Sequence, residues 1–208
     1  MDERDAIRRS YDALAETYAA GRSADDRDVE ILATFLDGLA ADARVLDAGC
    51  GQGMPVLRQI QTSAIGYGLD FSRAQLELAA EHVPDAPLLQ GDVTHLPLGD
   101  DVIDAIVAYH TLIHVLAGEQ EAVIAEFSRV LRPGGRLLLT EGPAAWSGTN
   151  PDWLDTGVEM RWDIAGVKTT RTQLEQAGFT IDNEWDVDEE EHWIFLSAQL
   201  DIEADTVG

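Results

Sequence analysis

The chain predicts an α/β fold, a doubly wound Rossmann-like sheet of seven mostly parallel strands with an antiparallel last strand. Three observations carry this. From residue 43 to 142, short apolar runs of strand length alternate with segments of helical periodicity. The first run breaks into a bend holding three glycines, VLDAGCGQG at 45–53. The first three runs end on or beside an aspartate: Asp47, Asp70 and Asp92. Strands that alternate with helices imply crossover units and a parallel sheet covered on both faces. Ligands of such sheets bind beyond the carboxyl ends of the strands, where the strand order reverses.

The elements follow in order. Ile7, Tyr11, Leu14 and Tyr18 recur at steps of four, three and four, which predicts a helix over 5–20. Leu32, Phe35, Leu36 and Leu39 predict a second over 28–40. The strand RVLDAG, a helix over about 54–61, the strand AIGYGLD, the helix SRAQLELAAEHV and the strand PLLQGD come next. The strand DAIVAYH then leads to the helix EAVIAEFSRVL, closed by Arg132, Pro133, Gly134 and Gly135 ahead of the strand RLLLTEG. After Gly142 the pattern predicts a loop of about 25 residues, rich in Trp, Asp and Gly, and then the helix TRTQLEQAG ending in Gly178. FTIDNEWDV and HWIFLSAQL read as an antiparallel hairpin across the acidic turn from Asp188 to Glu191.

The chain has 208 residues, 45% of them hydrophobic, which suits one globular domain with a self-sufficient core. No repeat or linker divides it. The amino terminus MDERDAIRRS is charged where a secretory signal is apolar, and no apolar run reaches membrane-spanning length, so the expected setting is cytoplasmic, without a membrane. Cys50 is the only cysteine, which excludes an intrachain disulfide and a multi-cysteine metal site. The 39 acidic against 14 basic residues give a formal net charge of -25. Lys168 is the only lysine, and aspartate is spread through every segment. Such a surface repels nucleic acid in dilute buffer and tolerates itself in high salt, where screening acts within about 3 Å at 1 M. The expectation is an acidic, halophilic protein that does not bind nucleic acid.

Glycines at 49, 51 and 53 let the chain bend tightly at the end of a buried strand, and a side chain at 49 or 51 is expected to occupy a ligand's space. A glycine bend alone also fits a dinucleotide site. The next strand ends in Asp70, 21 residues after Gly49, where an acid accepts hydrogen bonds from a ribose. A rim of aspartates suits a neutral or cationic ligand better than a pyrophosphate.

VLDAGCGQG, GLDFS, GDVTHLPL, DAIVAYHTLIHV and LRPGGRLLLTE, in this order and spacing, resemble the five motifs of the class I S-adenosylmethionine-dependent methyltransferases, in their small-molecule branch. The resemblance covers residues 11 to 142 well and the remainder loosely. It implies S-adenosylmethionine as cofactor and a small-molecule methyl acceptor as partner. Asp47, Gly49, Cys50 and Gly51 would line the methionine part of the cofactor, and Asp70 would hold the ribose hydroxyls. Phe71 would lie against adenine, which Asp92 and the Val93 amide would bond. Tyr109 and His110 would approach the methyl donor. Residues 1–42 would form a helical lid, with Tyr11 and Tyr18 either closing over the cofactor or serving as helix core. Residues 43–142 would hold the cofactor, and 143–208 would supply a substrate loop, a helix and the terminal hairpin.

The sulfonium is already an activated donor, so methyl transfer needs alignment, exclusion of water and, for some acceptors, a base. His110, His114 and Glu141, all near strand ends, are the candidates for that role; His82, His95 and His192 lie elsewhere. The place that reads Asn or Asp, two prolines and an aromatic in exocyclic-amine DNA methyltransferases reads AYHT here. No metal-ligand cluster is evident. Trp146, Trp153 and Trp162, beside Met160, either cover the substrate or form a small satellite core. Two other readings are a cofactor-binding sensor or scaffold without turnover and a nicotinamide-dependent oxidoreductase. Met54, standing where the dinucleotide pattern has its last glycine, tells against the second.

Overall fold

The computed structural model describes residues 3–21, 26–187 and 193–201. Helices α1 (Glu3–Gly21) and α2 (Asp26–Asp37) precede the first strand. Then come β1 (Arg44–Ala48), α3 (Val56–Ser63), β2 (Ile65–Asp70), α4 (Arg73–His82), β3 (Leu88–Gln90) and β4 (Ile103–Ala108). After a 3-10 turn at Leu112–His114 follow α5 (Gln120–Val130) and β5 (Leu131–Glu141). β6 (Trp146–Trp153), β7 (Val158–Ile164), α6 (Val167–Gln176), β8 (Phe179–Val187) and β9 (Trp193–Leu200) complete the order. The expected acidic turn between the last two strands lies outside the described residues.

The seven strands stand in the order β3-β2-β1-β4-β5-β9-β8. β1 to β5 pair in parallel, and β9 enters antiparallel between β5 and β8. The order reverses between β1 and β4, which opens a crevice above their carboxyl ends. Alternation along these strands feeds two cores. Leu46 and Ile106 face one way, with Phe127, Leu139 and Leu174 from the α5 and α6 side. Val45, Ala105 and Val107 face the other, with Phe35, Ile60 and Phe195. Each large side chain so buried contributes about 1.5–3 kcal/mol, and this holds the strand ends in register beneath the crevice.

The segment after Gly142 departs from the expected loop. β6 and β7 pair antiparallel, with Trp146 opposite Ile164 and Gly148 opposite Trp162, as a separate two-stranded sheet. Trp153 and Trp162 pack into the satellite core, Trp146 stays exposed, and none of the three lines the crevice. Trp153 lies edge-on to Trp162 at 5.4 Å and against Tyr18 at 5.5 Å. Ile7, Tyr11, Leu14 and Met160 are buried in the same cluster, so the hairpin's apolar face is covered by α1. Trp153→Ala should therefore destabilise the chain by roughly 2–4 kcal/mol, as truncation of a packed aromatic does. Denaturant unfolding measures this, and an unchanged midpoint would show that the hairpin holds α1 by other contacts.

Polar contacts fix α1 in place as a roof. Arg161 on β7 pairs with Glu3, and Ser10 donates to the Glu159 carbonyl. Asp12 accepts from Ser72 Oγ at 2.7 Å and from the Ala74 amide at 3.3 Å. Ser72 itself caps α4 by accepting from the Gln75 amide. The roof thus ties the hairpin on one side of the crevice to the start of α4 on the other.

Candidate functional site

β1 delivers the chain into its bend with φ of +82° at Gly49 and +52° at Gly51, a region that favours glycine. The two glycines serve different ends. A Cβ at Gly49 would lie 2.5 Å from Thr111 Oγ1, so that position admits Thr111, whose hydroxyl donates to the Ala48 carbonyl, and not a ligand as expected. A Cβ at Gly51 would meet nothing nearer than Gln75 Oε1 at 3.7 Å. Its open side is the crevice.

The bend's amides point inward. Those of Gly49 and Cys50 both donate to the Leu69 carbonyl, at 2.7 and 2.9 Å. The Gly51 amide donates to Asp70 Oδ2 at 2.9 Å, and the Ser72 amide to Asp70 Oδ1 at 2.8 Å. A phosphate cradle needs such amides aimed at the ligand. Here they are consumed in locking β1 to β2, which removes the physical support for a pyrophosphate site and with it the nicotinamide reading.

Asp70 is the clasp of that lock. Burial pushes its carboxyl up to about 6, against the Ser72 and Gly51 amides that lower it, and the nearby Asp12 charge raises it further. Burial likewise holds the Cys50 thiol well above its usual range, reinforced by Asp47 and Asp70, so this cysteine remains a neutral thiol and no nucleophile.

One cleft gathers these groups. Asp47, Gly49, Cys50 and Gly51 line it from β1 and the bend, and Asp70 and Phe71 from the end of β2. Asp92 and Val93 line it from beyond β3, and Tyr109, His110 and His114 from beyond β4. Tyr11 and Tyr18 reach it from the roof. His82 and His95 do not line it, and His192 lies outside the described residues.

Glu141 does not line the cleft either. It is fully buried, its carboxylate accepting from the Gly142 amide at 2.8 Å and from Thr170 Oγ1 at 2.8 Å. Burial raises its carboxyl above the usual range. It joins the end of β5 to α6. Tyr109 presents its ring to the cleft while its hydroxyl donates to Asp28 on α2, turning the phenol tip away from the mouth. His110 holds a left-handed φ of +52°, uncommon for a side-chain-bearing residue, with its amide donating to Thr140 Oγ1 at 2.7 Å.

Residues that the pattern did not single out complete the cleft. Arg4 bonds Asp92 Oδ2 at 2.8 Å and Thr94 Oγ1 at 3.1 Å, and pairs with Glu119 at 2.5 Å. A cation in the first turn of a helix opposes the helix dipole. That conflict, in a turn otherwise made of Glu3 and Asp5, was the one signal in the sequence that Arg4 serves a distant partner. Thr111 had none, since a hydroxyl buttressing a bend has no periodicity. Among the described residues, no three His, Cys, Asp or Glu side chains converge as metal ligands, and no helix is long and apolar enough to cross a membrane.

Fold and site together define a doubly wound α/β protein with an acid-rimmed cleft at its switch point. The methyltransferase domain family matches residues 46–139. The methyltransferase GfsG of Streptomyces halstedii is 38% identical over 139 residues, 64% of this chain and 46% of the relative. An uncharacterized methyltransferase of Synechocystis sp. is 31% identical over 143 residues, 66% of this chain and 67% of the relative. The solved structure of the (4+2)-cyclase SpnF aligns with a TM-score of 0.73 at 22% identity, over 94% of this chain and 95% of its own. The chain belongs to the class I S-adenosylmethionine-dependent methyltransferases. It spans about half the length of GfsG.

Proposed function

We propose that this chain transfers the methyl group of S-adenosylmethionine to a small-molecule acceptor. The observation that carries the reading is the roofed cleft: residues from the motif strand ends meet α1 across one cleft, under a roof held by ion pairs. An acceptor that reaches the far side of that space has to be small. The formal net charge of -25 opposes a phosphate polymer as substrate.

The residues present fit the cofactor. Asp47, Asp70, Asp92 and Glu119 place a negative field in the cleft, suited to a cationic ligand, and the side-chain-free face of Gly51 leaves room against the bend. Asp70 would accept from the ribose hydroxyls with the lone pairs its two amides leave over, and Phe71 would flank adenine. Asp92 and the Val93 amide would take the adenine edge, with Arg4 yielding or sharing its partner. The cofactor supplies an activated methyl group when bound; alignment of the acceptor falls to the roof, and the removal of a proton to the histidines past β4.

The test is transfer of tritium from methyl-labelled S-adenosylmethionine, in molar potassium chloride, to extracted metabolites and separately to transfer RNA. Label in a small-molecule fraction supports the reading, and label in RNA overturns the small-molecule half of it. Tight cofactor binding with label in neither would favour a sensor or scaffold.

The acidic surface also fits a salt-rich cytoplasm as the setting. The melting temperature should rise by several degrees between dilute buffer and molar potassium chloride, as screening relieves self-repulsion. Thermal melts measure this, and a melting temperature no higher in salt would remove the halophilic reading.

A further inference from the structure

One contact in the cleft has a direction that its surroundings dictate. His114 Nδ1 lies 3.1 Å from the Arg161 carbonyl oxygen, which can only accept, so in neutral imidazole Nδ1 carries the proton. Nε2 then holds the ring's lone pair. Tyr11 Oη stands 2.6 Å from that nitrogen, so the phenol donates to it. The rings meet edge to face at 5.1 Å, and both residues line the cleft. A chain of β7 carbonyl, imidazole and phenol therefore runs from the hairpin through the turn after β4 to the roof.

We propose that Tyr11 and His114 form a proton relay, which makes the acceptor a molecule that loses a proton from a hydroxyl as it is methylated. This rests on the methyl-transfer reading above and names its substrate class. The phenol proton is committed to Nε2, and the phenol oxygen accepts from the hydroxyl of the acceptor. As the acceptor oxygen forms its bond to the methyl carbon, the carbon–sulfur electron pair stays with sulfur. The acceptor's proton passes to Tyr11 Oη, and the proton of Tyr11 passes to His114 Nε2. The positive charge lost at sulfur thus reappears on imidazolium, where the Arg161 carbonyl accepts from Nδ1–H. Water takes the proton when the product leaves.

The surroundings favour that charge. Asp47, Asp70, Asp92 and Glu119 line the same cleft, while Arg4 is paired with two of them. On the hairpin side, the Arg161 guanidinium is neutralised by Glu3 and Asp163. Tyr11 is the group that meets the acceptor; His114 acts through it. His110, the other cleft histidine, packs against Tyr109 at 4.3 Å and Trp193 at 4.6 Å.

The experiment uses the full chain in molar potassium chloride with three acceptors, phenol, 4-nitrophenol and aniline. Phenol keeps its proton at neutral pH; 4-nitrophenol is largely ionised slightly above it. Tyr11→Phe and His114→Gln should each lower kcat on phenol by about 100-fold or more, the usual scale of a lost proton transfer. The loss on 4-nitrophenol should be at least tenfold smaller, with the Kd for S-adenosylhomocysteine changed less than threefold. Equal losses on phenol and 4-nitrophenol would make the pair structural and overturn the relay, as would transfer to aniline but to neither phenol. Nitrogen-15 histidine spectra give a readout independent of turnover. The relay requires His114 protonated on Nδ1, with an Nε2 resonance that moves in Tyr11→Phe. An Nε2-protonated His114 sinks it. Absence of label from all three acceptors counts against methyl transfer to simple aromatic acceptors, and the histidine spectrum then decides the relay by itself.

Discussion

Gly51→Val is expected to lose S-adenosylhomocysteine binding by at least 100-fold, about 2.7 kcal/mol, while the chain still folds. At φ +52° a β-branched residue is strained, but no protein atom blocks the added Cβ, whose nearest neighbour is Gln75 Oε1 at 3.7 Å. The new side chain fills space kept for the ligand. Gly49→Val should behave in the opposite way, because its Cβ meets Thr111 at 2.5 Å within the protein itself. It should fold poorly and lose binding only as a consequence. Calorimetric titration beside thermal melts separates the two. Normal binding by a folded Gly51→Val would place the cofactor away from the bend.

Asp70→Ala should lose both binding and stability. A strand-end carboxylate facing a ligand would leave the fold alone when removed, and the sequence suggests that role. The structure adds a second role, since Asp70 also accepts from the Gly51 and Ser72 amides, and deletion leaves two buried donors unpaired. Each unpaired donor costs about 1–3 kcal/mol. The pH dependence has a definite sign. The folded-state value is about 6 against 3.8 for the free side chain, so the folded chain holds this proton more tightly than the unfolded one. Stability from this group is therefore full at low pH and falls by about 3 kcal/mol as pH rises from near 4 to 6, then stays level. Binding moves the other way. The ionised carboxylate is the ribose acceptor, so cofactor affinity should drop about tenfold for each pH unit below 6 and stay flat above it. Asp70→Asn should abolish both slopes. Titrations and denaturant melts from about pH 3 to 8, run beside that variant, read them against the general titration of so acidic a surface, and matching slopes in wild type and Asp70→Asn would remove Asp70 from this role.

The crossover units, the strand order's reversal and the aspartates at three strand ends were legible because burial imposes a period on each element. The convergence of Asp47, Asp70, Asp92, Tyr109, His110 and His114 on one cleft follows from the fold alone, since all lie at or past carboxyl ends of parallel strands. Glu141 obeys the same rule and yet is sealed beneath α6, because β5 sits one strand further from the switch point and Thr170 meets its carboxylate. The segment after Gly142 looked like a loop because its tryptophans, glycines and aspartates carry no clear alternation; pairing of β6 with β7, and cover from α1, made it a sheet.

What the sequence determined by itself is the sheet, its glycine bend and the acidic rim, each of which depends on neighbours in the chain and on the side-chain period that burial enforces. What only the tertiary structure decided is where single polar groups spend their hydrogen bonds. The bend's amides turn toward Leu69 and Asp70, Arg4 reaches Asp92 across 88 residues, and the phenol of Tyr11 meets the imidazole of His114 across 103. A hydrogen bond is satisfied by any partner within about 3 Å, however distant in sequence, so its choice is made by packing and leaves no mark in the local pattern.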